Sequence, residues 1–422
     1  MTADIIKVSR NTEHAPVSPF STQSVAFSHY NNLSAQLPVN PKTGALVLGD
    51  VKVQAEQCLT NIKAIVESVG HGMYDVVRVN VYLKNIQHID AVNEVYSSFF
   101  HGYCPTRTVL SVSALPLEGA LVQMDAVLSN GEGTYPQAAC DLVKVARNTV
   151  DAPVCLLSTQ TVAFSHYNHL SAQLPIDPAT GNIVVGGAKE QAAQCLKNLK
   201  AILESIDAPY DDIVKINIHV RNLADIDAVN EAYDTFLPDS AIARAVGYMP
   251  ARSVLVADGL PMNALVQIDA TVSHGDGTPP QAVEDRHGIV IRANNSKNAP
   301  SHALSTQTVA FSHYNNISAQ LPIDSIAGAI VSVGAKEQTM QCLNNVKAIV
   351  ESVGHVMDDI VKVNIQIKNI DDLNVINDVY ASYFEGALPA RTVVGVSDLP
   401  IGALVQIDAI VSNGEGTPPS SN

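Results

Sequence analysis

Ser21-Thr-Gln-Ser-Val-Ala-Phe-Ser-His-Tyr-Asn-Asn-Leu-Ser-Ala-Gln-Leu-Pro38 decides how this chain folds, because it returns, barely altered, at Ser158–Pro175 and Ser305–Pro322. Each copy is followed by the same tail. Pro105-Thr-Arg107, Pro250-Ala-Arg252 and Pro389-Ala-Arg391 come first, then Ala120-Leu-Val-Gln-Met-Asp125, Ala264-Leu-Val-Gln-Ile-Asp269 and Ala403-Leu-Val-Gln-Ile-Asp408. Copies beginning at 21, 158 and 305 lie much further apart than the 20–50-residue period of a solenoid, so each repeat is a domain of its own.

Gly/Pro punctuation marks the joints: Gly131-Glu-Gly-Thr-Tyr-Pro136, Gly275-Asp-Gly-Thr-Pro-Pro280 and Gly414-Glu-Gly-Thr-Pro-Pro419. Domains are therefore expected at 1–136, 137–281 and 282–422. A chain of 422 residues with 46% hydrophobic and 16% charged residues can give each third a sizeable core.

Within repeat one, a short strand around Ile5–Ser9 leads to a second, Thr22–Phe27, which turns at Ser28-His29 into Tyr30–Gln36. Val51, Ala55, Cys58, Leu59, Ile62, Ile65, Val66 and Val69 recur at helical spacing, with Gly70 placed to stop the helix. From Val76 the period becomes two: Val77, Val79, Val81 and Leu83 alternate with Arg78, Asn80, Tyr82 and Lys84, the mark of a half-buried strand. A second helix has Ile89, Val92, Tyr96 and Phe100 as its buried stripe, and strands Arg107–Val112 and Ala120–Leu128 complete the unit. The order reads ββαβαββ, an α+β fold with helices on one face of a mixed sheet. Three similar domains offer similar mating surfaces, which a ring satisfies and a string does not, so a single-chain pseudo-threefold trimer is expected.

The balance of 25 basic to 41 acidic residues gives a net charge of −16, which repels phosphate backbones, and no basic run offsets it. Nucleic acid is therefore not an expected partner. Neither an apolar leader nor 18 consecutive apolar residues occur, so a cytoplasmic location without a membrane partner is expected. Cys58, Cys195 and Cys342 recur at one place in the helical pattern, whereas Cys104, Cys140 and Cys155 have no counterparts; reduced thiols fit this better than a disulfide framework.

Several polar residues sit where apolar ones are expected. Asn93, Asn230 and Asn377 interrupt the stripe of the second helix, as caps for nearby backbone or as interface or ligand groups. Alternation puts Tyr30, Asn32 and Ser34 on one strand face, a row of hydrogen-bonding groups that suits a lined pocket or a solvated edge; His169 replaces the second Asn in copy two. Arg107, Arg252 and Arg391 each open a strand after a Pro-X step, which suits a bidentate grip on a carboxylate, with an interdomain salt bridge as the competing reading. Gln123 and Asp125 share a strand face, as do Gln267 with Asp269 and Gln406 with Asp408; the Asp could instead pair with Lys or Arg. His29, His166 and His313 read as turn residues or pH-sensitive surface groups, with catalysis as the competing reading. No cysteine–histidine cluster has metal spacing and no phosphate-binding loop or Gly-X-Ser-X-Gly occurs, so neither a metal nor another cofactor is expected.

Ser34-Ala-Gln-Leu-Pro38, Val92-Asn-Glu-Val-Tyr96, Pro105-Thr-Arg107 and Leu121-Val-Gln-Met-Asp125, three times over, resemble the reactive intermediate deaminase (Rid, also called YjgF) family. The resemblance implies a chorismate-mutase-like α+β domain, trimeric assembly, ligand sites in the clefts between subunits, and hydrolysis of enamines and imines to 2-keto acids and ammonia. It makes Arg107, Arg252 and Arg391 the carboxylate anchors. Ser34, Ser171, Ser318, Asn93, Asn230 and Asn377 match the family's motif serine and helix asparagine.

Three departures stand out. The family's water-activating glutamate aligns with Gln123, Gln267 and Gln406, its N-terminal tyrosine with Ser21, Ser158 and Ser305, and its motif glycine with Ala35, Ala172 and Ala319. An amide is no general base at neutral pH. Asp125, Asp269 and Asp408 are then substitute bases, and Tyr30, Tyr167 and Tyr314 stand in for the tyrosine. The expected function is imine hydrolysis on small carboxylates, with non-catalytic binding or sensing of such acids as the alternative. RNA cleavage, ascribed to some family members, is disfavoured by the charge. Asn93 to Arg107 and Asn377 to Arg391 each span 14 residues, whereas Asn230 to Arg252 spans 22, so eight extra residues around Pro238–Tyr248, with Arg244 among them, are expected to reshape one cleft.

Overall fold

Strand β1 (Val8–Arg10) pairs with β2 (Ser24–Phe27), which turns tightly into β3 (Tyr30–Leu33). Helix α1 (Val51–Ser68) follows, then β4 (Val76–Leu83), helix α2 (Ile89–Ser97), β5 (Thr106–Ser111) and β6 (Val122–Ser129). Counted with its lead strand the order is βββαβαββ, one strand more than ββαβαββ. The computed structural model describes residues 7–129, 144–237, 248–273 and 291–413. The expected domain boundaries at 136/137 and 281/282, Cys140 and the eight-residue insertion lie outside the described residues, apart from Tyr248.

The sheet order is β1-β2-β3-β6-β4-β5, repeated in all three units. Only β4 and β5 run parallel, because α2 carries the chain across the sheet between them; the neighbouring pairs are antiparallel. Helix α1 starts where the Asp50 carboxylate accepts the backbone N–H groups of Lys52 and Val53, and it stops at Gly70, whose φ of 86° suits a residue without Cβ. Its buried stripe packs with Val79, Val81 and Leu83 of β4 and with α2, giving one core per repeat. Cys58, Cys195 and Cys342 are fully buried there, and burial pushes their thiols up; the five described cysteines are all unbridged.

The opposite face of each sheet turns towards the other repeats. Two further apolar clusters draw on all three units at once. One gathers Phe27, Tyr30, Phe164, Tyr167, Phe311 and Tyr314; the other gathers Leu110, Leu255 and Val394 with their neighbours. The Tyr30 hydroxyl donates to Phe164 O, Tyr167 to Phe311 O and Tyr314 to Phe27 O, so contacts run from repeat one to two, two to three and three back to one.

Between these two clusters lies a cavity of about 160 Å³ lined by charge. Arg78 meets Asp269 at 2.7 Å, Lys215 meets Asp408 at 3.7 Å and Lys362 meets Asp125 at 3.4 Å, each across a different seam. Asn80, Asn217 and Asn364 donate to the same carboxylates from within their own repeats. Thr108, Ser253 and Thr392 add a hydroxyl from the neighbour. Fully buried charges are tolerated only when so satisfied. Burial opposes ionisation of Asp269, but Arg78, His219 and the bonds from Asn217 and Arg78 outweigh it and hold its pKa below the ordinary carboxylate value.

Asp269→Ala strands the Arg78 guanidinium and is expected to lower the unfolding free energy by about 3–5 kcal/mol in urea titrations. Glu231→Gln, in an exposed pair with Lys189, should leave the midpoint unchanged. Because the folded-state pKa of Asp269 is depressed, its contribution is complete above about pH 4 and is lost as pH falls through the lower folded value. Asp269→Asn should therefore flatten the acid limb of a stability–pH profile.

Candidate functional site

The two repeated motifs turn out to be the two sides of one seam. Ala35 N donates to Arg391 O, Ala172 N to Arg107 O and Ala319 N to Arg252 O, at 2.9–3.1 Å. Arg391 N donates to Ser34 Oγ at 2.9 Å, and that hydroxyl donates in turn to Thr22 O. Ser171 and Ser318 do the same for Arg107 and Arg252. These serines fix the arginine backbone, and their hydroxyls are committed to main-chain partners.

Each guanidinium bonds the second-helix asparagine of its own repeat: Arg107 to Asn93 at 2.7 Å, Arg252 to Asn230 at 2.6 Å and Arg391 to Asn377 at 2.7 Å. Each also lies over a tyrosine ring of the same helix, Tyr96, Tyr233 or Tyr380, at 4.2–4.9 Å from the centroid. Burial pulls the pKa of all three arginines down, partly offset by the facing tyrosine. Among the described residues none of them forms an ion pair with a carboxylate. Arg107 Nε and Nη2 and Arg252 Nε are buried N–H groups with no hydrogen-bond acceptor among the described residues. Unmet donors on a buried cation are costly, and a carboxylate oxygen is the acceptor that suits them.

The seam between repeats two and three opens as a cavity of about 200 Å³, lined by Asn230, Arg252, His302, Ser305, Ser318 and Gln406 among others. That volume equals several waters' share of liquid, enough for a small acid. Gln406 Nε2 donates to Val254 O at 2.9 Å across the seam, and Gln123 Nε2 donates likewise to Val393 O at 3.1 Å. In the third seam Gln267 Nε2 is buried without an acceptor among the described residues. In two seams the amide N–H is thus tied to the neighbouring backbone.

The remaining residues singled out in the sequence lie elsewhere. Asp125, Asp269 and Asp408 share a strand face with the glutamines, yet they line the axial cavity and are held there by Lys362, Arg78 and Lys215, the pairing alternative for a strand carboxylate. Tyr30, Tyr167 and Tyr314 also line the axial cavity, with their hydroxyls given to backbone carbonyls, while Asn32, His169 and Asn316 face the same space. His29 and His166 are buried in the hairpin turns rather than at the surface, with His313 half-buried.

Sequence reasoning missed the cleft rim. Gln307 Nε2 donates to Ala299 O and Pro300 O and shapes the loop that carries His302; Gln23 and Gln160 shape the matching loops. Short bridges pair His302 with Ser305, Cys155 with Ser158 and Ser18 with Ser21, so one rim position is Ser, Cys or His in the three seams. Its signal in the sequence is a difference between the copies, where the other site positions are identities. His302 Nδ1 accepts from Leu304 N at 3.1 Å; the residue is exposed, and partial desolvation together with Arg252 lowers its pKa, favouring the neutral ring with the proton on Nε2.

The family model described as endoribonuclease L-PSP matches residues 11–129, 157–274 and 296–413. A RutC family protein of Pyrococcus horikoshii is 40% identical over 118 residues, covering 28% of this chain and 92% of its own length. A 2-iminobutanoate/2-iminopropanoate deaminase of Dermatophagoides farinae is 35% identical over 113 residues, covering 27% of this chain and 87% of its own. A crystal structure of a protein of unknown function from the conserved Rid family of Yersinia pestis is 38% identical, with a TM-score of 0.29, and covers 29% of this chain and 100% of its own. With three matches that take in most of its length, the chain belongs to the endoribonuclease L-PSP family, the Rid/YjgF proteins, as three tandem copies.

Proposed function

We propose that the three seams are binding sites for small 2-imino acids, including those formed when an enamine acid tautomerises to its imine, and that water adds to the C=N bond there, giving a 2-keto acid and ammonia. One observation carries this reading: a buried guanidinium, fixed by Asn and Ser and stacked on Tyr, has N–H groups unmet by any described carboxylate. Charge-assisted bidentate binding of a substrate carboxylate would satisfy them. In this reading one chain closed on itself does what three chains do in trimeric relatives. The likeness to the Dermatophagoides farinae 2-iminobutanoate/2-iminopropanoate deaminase supports the reaction class.

The catalytic demand on the protein is modest. Arginine holds the carboxylate, and the glutamine carbonyl orients the attacking water, whose proton passes to the imine nitrogen as the C–O bond forms, so that ammonia can leave. Excluding bulk water from the seam strengthens both contacts. Because glutamine replaces the family's glutamate in every copy, a second reading keeps the same ligands and drops the chemistry: a module that senses or sequesters small carboxylates. The charge of −16 disfavours RNA as the substrate under either reading.

An imine generated in situ by an amino-acid oxidase distinguishes the two readings: hydrolysis faster than in buffer supports the enzyme, and binding of a stable 2-keto acid without acceleration supports the sensor. Arg252→Ala should weaken keto-acid binding in its seam about 10–100-fold by calorimetry, the loss of a charge-assisted hydrogen-bond pair. Combined Gln123→Glu, Gln267→Glu and Gln406→Glu should raise the hydrolysis rate, by as much as about 10²–10⁴-fold where a general base is limiting. The same change removes the N–H given to Val393 and Val254, so a lower melting temperature should accompany the gain.

A further inference from the structure

The hairpin turn between β2 and β3 is built twice more, at Ser165-His166 and Ser312-His313, and each turn has only two residues between paired strand ends. Ser28, Ser165 and Ser312 take φ values of 49°, 54° and 51°, a left-handed conformation that favours glycine at this place in a tight hairpin. A serine held there three times over is a repeated local cost. What the turns achieve is to bring the next residue of each repeat to one point on the pseudo-threefold axis.

At that point the imidazoles of His29, His166 and His313 converge. Ring centroids lie 4.9, 5.2 and 5.4 Å apart, and one ring nitrogen from each falls within 4.8 Å of the other two. Each ring rests edge-on against a phenylalanine from another repeat: Phe164, Phe311 and Phe27 flank His29, His166 and His313 at 6.3–6.5 Å. A tetrahedral ion with nitrogens at about 2.0–2.1 Å holds imidazole centroids about 3.2 Å from itself and so about 5.2 Å from one another. The observed separations already match. Coordination requires the ring nitrogens, now within 4.8 Å of one another, to close to about 3.3–3.4 Å.

We propose that His29, His166 and His313 form a three-imidazole site for one divalent transition-metal ion of the zinc class, seated on the axis and distinct from the seam clefts. Three neutral nitrogens suit zinc, cobalt, nickel or copper; calcium and magnesium require oxygen donors. Three protein ligands leave a fourth position for water or a small anion. One ligand comes from each repeat, so the ion ties together the hairpins whose tyrosines close the ring. The spacing along the chain gives no hint of this, because each repeat supplies a single histidine.

The test uses the full chain without an affinity tag, stripped with chelator and titrated with zinc chloride in a calorimeter and with cobalt(II) in a spectrophotometer. The expected result is one tight equivalent per chain, visible cobalt bands of tetrahedral intensity, and a melting temperature raised by zinc. His166→Asn and His29→Asn should each weaken that equivalent about 100-fold or more and remove the bands, while His14→Gln changes neither. Variants whose far-ultraviolet spectrum and keto-acid binding match the parent serve as folded controls. Absence of a stoichiometric site in the parent chain, or binding that survives both folded asparagine variants, overturns the proposal.

Discussion

The bond from an arginine's backbone N–H to a serine hydroxyl of the next repeat is the contact on which the rest of the structure turns. Ser34, Ser171 and Ser318 hold Arg391, Arg107 and Arg252 in place, and each serine is anchored to a threonine carbonyl behind it. A backbone so pinned leaves the guanidinium free to bend onto its asparagine and tyrosine. On Arg107 and Arg252 some donors then stay buried and unmet, with no described carboxylate to quench them. The seam is thus a structural joint and a place for a ligand through the same few atoms, which explains why Ser-Ala-Gln and Pro-X-Arg were copied together.

Charge is partitioned along the axis. Carboxylates that could have closed on the cleft arginines are consumed in the axial ring, where Asp125, Asp269 and Asp408 meet Lys362, Arg78 and Lys215. Strand alternation decides this: a residue and the one two further along share a face but stand more than 6 Å apart. That displacement carries one side chain to the seam and the other to the axis. Gln406 and Asp408 illustrate it, one crossing to Val254 O and the other to Lys215.

Much of the fold was legible in the residues. Helical spacing over Val51–Val69 and alternation from Val76 placed α1 and β4 to within a residue or so, since both patterns report burial on one face. The arginine, serine and asparagine positions were also readable, because repetition singled them out. Less legible was which of two cavities a polar side chain would enter. Tyr30 and Asn32 gave every local sign of lining a pocket, and they do line one, but alternation within a strand cannot say which neighbour its outer face will meet. The rim position occupied by Ser18, Cys155 and His302 escaped notice since it varies, and its importance follows only from a loop shaped by Gln23, Gln160 and Gln307.

When three separate identical chains meet on an axis, any replacement there is made three times simultaneously, and a bulky or charged newcomer must tolerate two copies of itself. A single polypeptide escapes that restriction. Its axis already shows the result: Arg78 against Lys215 and Lys362, His169 against Asn32 and Asn316, and Tyr82, His219 and Gln366 around one cavity. Fusing the repeats has turned a symmetric lattice point into three independently editable addresses, and a chain of this kind can drift toward three dissimilar chambers while keeping one shell.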